Sequence, residues 1–127
     1  MRRRAINAPG APRPLGSYSQ AVEVEGATRW LYVSGQIPVS IHGEVPGSFA
    51  DQARLAWRNL VAQLEAADMR LENLVKVTTF LASRAHALEY RAVRNEFLGG
   101  LAPALTVIIT GIFDESWLLE IEAVAAA

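Results

Sequence analysis

The chain has 127 residues, 51% of them apolar and 20% charged, with no cysteine and a formal net charge of −1. That size holds one domain with its own hydrophobic core. The missing cysteines exclude disulfides and thiolate metal sites, and the near-neutral charge offers no basic stripe for nucleic acid.

Residues 1–14 carry three prolines, a glycine and the run Arg2-Arg3-Arg4. They read as an irregular N-terminal arm, followed by a single domain over 15–127. No apolar stretch follows the arginines in Ala5–Pro12, so a signal peptide is not expected. Nothing approaches the length of a membrane span either, and a cytoplasmic protein is the expectation. Eleven of the twelve basic residues are arginine and only Lys76 is lysine, so any single arginine reads first as a compositional preference.

Residues 17–24 alternate, with Tyr18, Gln20, Val22 and Val24 on one face, and predict a strand. After the turn at Glu25-Gly26-Ala27, residues 29–34 predict a second strand, the two forming a hairpin. Gly35, Pro38, Gly43, Pro46 and Gly47 mark a long loop. Ser48 with Asp51 three residues on has the spacing of an N-terminal cap. Behind it Phe49, Ala53, Ala56, Trp57, Leu60 and Leu64 recur at helical spacing. Leu74–Ala82 predicts a strand, 85–98 a helix closed by Gly99-Gly100, and 104–110 and 117–125 the last two strands.

The order β-β-α-β-α-β-β predicts a two-layer α+β domain, with two helices on one face of a mixed sheet. The other sheet face then needs cover. In the last strand Trp117, Leu119, Ile121 and Ala123 lie on one face and Leu118, Glu120, Glu122 and Val124 on the other. Neither face is simply polar, which points to an oligomer.

Several segments in order resemble the RidA (YjgF-like) family: Leu15-Gly16-Ser17-Tyr18-Ser19-Gln20-Ala21-Val22, Ser34-Gly35-Gln36-Ile37-Pro38, Gln52 with Asn59-Leu60, Val75–Leu81, and Glu120–Ala125. The resemblance implies a chorismate-mutase-like fold and a homotrimer with a ligand cleft at each subunit interface. It implies hydrolysis of reactive enamines and imines, notably 2-aminoacrylate, to a 2-oxo acid and ammonia. Some members carry the label of endoribonuclease. No metal or organic cofactor is implied, and the expected partners are a small-molecule ligand and further copies of the chain, not nucleic acid or membrane.

That chemistry needs a grip for the substrate carboxylate, a positioned water and a proton for the departing nitrogen. The family's carboxylate-binding arginine follows Pro-Ala, and here Pro103-Ala104 is followed by Leu105. Leucine has no donor. Leu105 shares a strand face with Val107 and Ile109, which predicts an apolar cleft floor.

Glu120 matches the residue credited with positioning water; a solvated strand glutamate is the plainer reading. Tyr18 matches a cleft tyrosine, and strand tyrosines also pack at interfaces. Ser34 and Gly35 belong to the motif whose backbone lines the cleft, with Gly35→Val expected to damage folding or assembly. Arg91 falls where the family's second helix carries asparagine, and its guanidinium could stand in for the missing one. A solvated helix arginine beside Glu89, Arg94 and Glu96 is the plainer reading.

Three functions follow. The first is a trimer that binds a small metabolite without the usual deaminase activity; the second is an active enamine or imine deaminase; an endoribonuclease comes last.

Overall fold

In the computed structural model, which describes residues 1–127, strands β1 (Arg2–Ile6) and β2 (Ala21–Glu25) form a two-stranded antiparallel ribbon. The body comprises β3 (Trp30–Gln36), helix α1 (Phe49–Ala66), β4 (Leu74–Leu81), helix α2 (Ala87–Leu98), β5 (Ala104–Ile109) and β6 (Leu119–Ala126). Its sheet has the order β3-β6-β4-β5, with β4 parallel to β5 and β6 antiparallel to both β3 and β4.

Strands β3, β4 and β5 therefore run one way, and each link between them is a helical crossover. Crossovers of this kind are right-handed, and both step in the same direction across the sheet, so both helices fall on one face. The two-layer α+β domain with a mixed sheet is the result. No helix is long and apolar enough to cross a membrane.

The helices form where the spacing predicts them. The Ser48 side chain caps α1 by accepting from the Asp51 N–H at 3.2 Å, which satisfies one of the otherwise orphaned first-turn donors. Phe49, Ala53, Ala56, Trp57, Leu60 and Leu64 are buried and meet the sheet residues Val77, Leu81, Leu119, Ile121, Ala123 and Ala125 in one core. A fully buried leucine such as Leu60 contributes about 1.5–3 kcal/mol. Arg54 of α1 holds Glu96 of α2 with two hydrogen bonds of 3.0 Å. The second helix begins at Ala87, two residues later than predicted, because Arg84–His86 winds as a 3₁₀ turn capped by Ser83. Its end is Gly99 at φ 54°, a conformation that favours glycine.

Two polar side chains of α1 fix the chain around the sheet. Buried Gln52 donates to the Pro46 and Ser116 carbonyls, at 3.0 Å each, and accepts from the Leu118 N–H at 2.8 Å. Asn59 donates to the carbonyls of Ile37 and Val39 at 2.9 and 3.1 Å. Together they pin the exit of β3 and the entry of β6.

Two expectations are corrected. Residues 2–6 are not irregular: they pair with Ala21–Glu25, and Arg2 and Arg4 meet Glu25 and Glu23 across the ribbon. Arg3 reaches the carbonyls of Glu72 and Leu74, tying the ribbon to the start of β4. The hairpin of residues 17–24 with 29–34 does not form. Its first half pairs with β1 from Ala21 onward, while β3 pairs with β6. Tyr18 and Ser19 precede the strand, and Ser19 instead bridges to Ala104 of β5, its hydroxyl donating to the Ala102 carbonyl at 2.6 Å. The uncovered sheet face is mixed in polarity, as the alternation of the last strand predicts. Direct cross-strand partners share a face, which sets Trp30, Tyr32, Lys76, Thr78, Phe80, Thr106, Ile108, Glu120 and Glu122 on it. Tyr32 is 76% exposed there and Trp30 49%.

Beneath the sheet, Tyr90 of α2 is buried with its hydroxyl on Thr79. Burial pushes its pKa up from 10.0 to about 12, against the opposing pull of the Thr79 hydrogen bond and the Arg94 charge. Between those values the unfolded chain loses the phenolic proton and the folded chain keeps it, so stability falls as pH rises from 10 toward 12. Tyr90→Phe should flatten that part of an alkaline unfolding curve; an unchanged curve would assign the loss to other groups.

Candidate functional site

The predicted site residues divide into two groups on opposite faces of the sheet. Leu105 lies across from Val77, which lies across from Ala123, and all three point toward the helices. Glu120 lies across from Phe80, which faces Ile108, on the uncovered side. A strand alternates faces at every residue, so no side-chain rotation brings Leu105 and Glu120 of one chain together.

On the helix side, a cleft of about 290 Å³ lies between the 15–20 segment, α2 and β5. Tyr18, Arg91, Leu105 and Val107 all line it, joined by Leu15, Gly16, Gln20 and Arg94. The local chain explains the placement. Ser19 bonds the Pro103 and Ala102 carbonyls, which clamps the 15–20 segment against the start of β5 and turns the Tyr18 ring into the cleft. The Tyr18 hydroxyl accepts the Leu15 N–H at 3.2 Å.

Arg94 is the residue that sequence reasoning missed, since it is grouped there with solvated helix arginines. It is only 7% exposed, and its Nε is buried without a hydrogen-bond partner. It makes none of the chain's ion pairs, and no carboxylate lines the cleft. Its guanidinium lies 5.9 Å from the Tyr90 ring centroid. Burial draws its pKa down and the Arg91 charge adds to this, while Tyr90 and Tyr18 oppose both. The signal was in the pattern: Tyr90, Val93, Phe97 and Leu98 form the apolar stripe of α2, and position 94 sits within it. An arginine on a buried stripe is costly unless paired.

On the uncovered face, β3 carries a bulge between Val33 and Gln36. Ser34 and Gly35 together oppose Glu122, a two-against-one arrangement that twists the strand locally. The Glu120 side chain lies over Gly35. A Cβ added at Gly35 would come within 2.6 Å of Glu120 Cδ and 2.9 Å of its Cγ. Here the missing side chain is what lets the carboxylate settle against the strand. Glu120 is half-buried and has no arginine or lysine partner in the chain. Its lone pairs are therefore free to accept from a water or a ligand. Lys76, on the same face, donates to Thr106; burial lowers its pKa and Glu122 opposes the shift.

Comparison with known proteins adds the following. The family model described as Endoribonuclease L-PSP matches residues 8–127. A RutC family protein of Pyrococcus horikoshii is 37% identical over 117 residues, 91% of this chain and 90% of that one. The 2-iminobutanoate/2-iminopropanoate deaminase of Dermatophagoides farinae is 33% identical over 124 residues, 96% and 94% of the two chains. Among solved structures, E. coli TdcF with bound serine is 30% identical with a TM-score of 0.74, each chain covered to 98%.

Proposed function

The chain belongs to the Endoribonuclease L-PSP family, the RidA or YjgF-like group, and from that premise we propose a homotrimer whose intersubunit clefts hydrolyse reactive imines. The observation that carries this reading is the unpaired Glu120 carboxylate lying over Gly35. A water held there attacks the imine carbon while Glu120 accepts its proton. Glu120 returns that proton to the nitrogen, which takes its second proton from the newly added hydroxyl, keeps the electrons of the C–N bond and leaves as ammonia as the carbonyl group forms. The balance is one imine and one water to one carbonyl compound and one ammonia, with no redox partner.

Assembly is part of the proposal. Glu120 with Gly35 and the cleft with Arg91 and Leu105 lie on opposite faces of one sheet. A site that uses both groups has to be completed across subunits. The exposed Trp30 and Tyr32 support this, since aromatic rings on an open sheet face gain from being covered. The mixed polarity of that face suits an interface containing polar contacts.

A relative of 33% identity is named as a deaminase of 2-imino acids, and a structural relative holds serine, a molecule with a carboxylate. A second reading, ligand binding without turnover, is supported by the resemblance of Pro103-Ala104-Leu105 to the family motif, which carries arginine after Pro-Ala. Ribonuclease activity has the least support, given a net charge of −1 and only Lys76 beside Glu120 and Glu122 on the open face.

Light scattering at micromolar concentration should give three times the 13.8 kDa chain mass. Freshly generated 2-imino acid should release ammonia faster in its presence. A monomer removes the shared site, and a trimer without turnover leaves the binding reading in place.

A further inference from the structure

The cleft beside Leu105 is cationic, and nothing in the chain neutralises it. Two guanidiniums line it from α2, Arg91 and Arg94, three residues apart and thus on neighbouring positions of one helix face. The other lining residues are Leu15, Gly16, Tyr18, Gln20, Leu105 and Val107, none of which carries a negative charge. Like charges so placed repel, and the Arg94 Nε, buried without a hydrogen-bond partner and with only the Tyr90 ring near its guanidinium, costs free energy. An arginine kept on the apolar stripe of a helix at that cost is explained if a ligand supplies the missing anion.

We propose that Arg94 is the ligand-carboxylate anchor of this chain, reaching from α2 into the space above Leu105, and that Arg91 at the exposed rim selects ligands with a second acidic group. The inference rests on the proposed small-molecule site and assigns its substrate class: small dicarboxylic 2-oxo and 2-imino acids. The planar fork of Arg94 suits bidentate binding of one carboxylate. Leu105 and Val107 cover the short carbon chain, and Tyr18 and Gln20 offer polar atoms toward its other edge. Arg91 is solvent-exposed, so it contributes to selection more than to total affinity. Leucine at 105 is then a requirement of the arrangement, because a third guanidinium there would crowd the other two.

The test is calorimetry on the full chain with 2-oxoglutarate and 2-oxobutyrate as probes. Wild type should bind 2-oxoglutarate roughly two- to fivefold more tightly than 2-oxobutyrate. Arg94→Met should weaken both by about a hundredfold, whereas Arg91→Met should remove only the preference for the dicarboxylate. Arg94→Met should also raise the melting temperature of the ligand-free protein, since methionine fills the site without an unpaired charge; a purely structural arginine would give the opposite. The double variant Arg94→Met with Leu105→Arg should regain binding of 2-oxobutyrate. Should Arg94→Met not fold, Arg94→Lys keeps the charge, loses the fork and should still weaken both probes.

Unchanged affinity in the Arg94 variants overturns the anchor, and equal wild-type affinity for both probes overturns the substrate class. Imine hydrolysis in the same preparations separates this inference from the reading on which it rests. Turnover with an unaltered KM in Arg94→Met would sink the anchor and spare the deaminase. Arg94-dependent binding without turnover would do the reverse.

Discussion

Glu120→Gln should lower the rate of imine hydrolysis by about 10²–10⁴-fold, the usual worth of a positioned general base. Glutamine keeps the shape of the side chain and its place over Gly35 but cannot take a proton from water. No arginine or lysine in the chain depends on Glu120 for neutralisation, so melting temperature and assembly should stay close to wild type. KM should change little, because in the proposed assembly the ligand is gripped by the cleft of the neighbouring subunit. A variant that turns over at the wild-type rate would remove Glu120 from the chemistry.

Gly35→Ala should cost about a hundredfold in the same assay, the scale of a misplacement of about 1 Å in a reacting group. A Cβ at this position would stand 2.6 Å from Glu120 Cδ, well inside van der Waals contact, and must push the carboxylate aside. The obstructed atoms belong to a flexible side chain, so the backbone need not move and the fold should survive. This relocates the effect expected from sequence, which placed the cost of a side chain at Gly35 in folding or assembly. A double-mutant cycle makes the argument sharp: once Glu120 is glutamine, adding Gly35→Ala should cost little more in rate, because both changes act on one group. Full additivity of the two losses, or a large fall in melting temperature for Gly35→Ala alone, would count against the geometry.

The helices and the class of fold were legible in the sequence because they depend on local periodicity. Phe49, Ala53, Ala56, Trp57, Leu60 and Leu64 are spaced for one helix face and are buried on one. The strand Arg2–Ile6 was not legible. Three adjacent arginines have no alternation, and their partners Glu23 and Glu25 lie about twenty residues away. The false hairpin has the same origin, since alternation predicts a strand but does not name the strand it pairs with.

The candidate site shows the same boundary. Tyr18, Arg91, Leu105 and Val107 were picked by residue type and motif, and the structure gathers all four around one cleft. Glu120, Gly35 and Ser34 were picked in the same way and lie on the opposite side of the sheet. The sequence determined which residues alternate within each strand. Only the tertiary structure decided that strand β5 pairs with β4 in the register Leu105–Val77, and β6 with β4 in the register Glu120–Phe80. One residue of slip in either ladder would have put Leu105 and Glu120 on the same face. Arg94 is the other half of the lesson. Its chemistry is visible in the sequence, but its place in a cleft is not: the facing wall is the 15–20 segment, held on β5 by hydrogen bonds between Ser19 and residues more than eighty positions away. Exposure is a property of such long-range packing, and a charged side chain acquires a specific role only where packing removes its water.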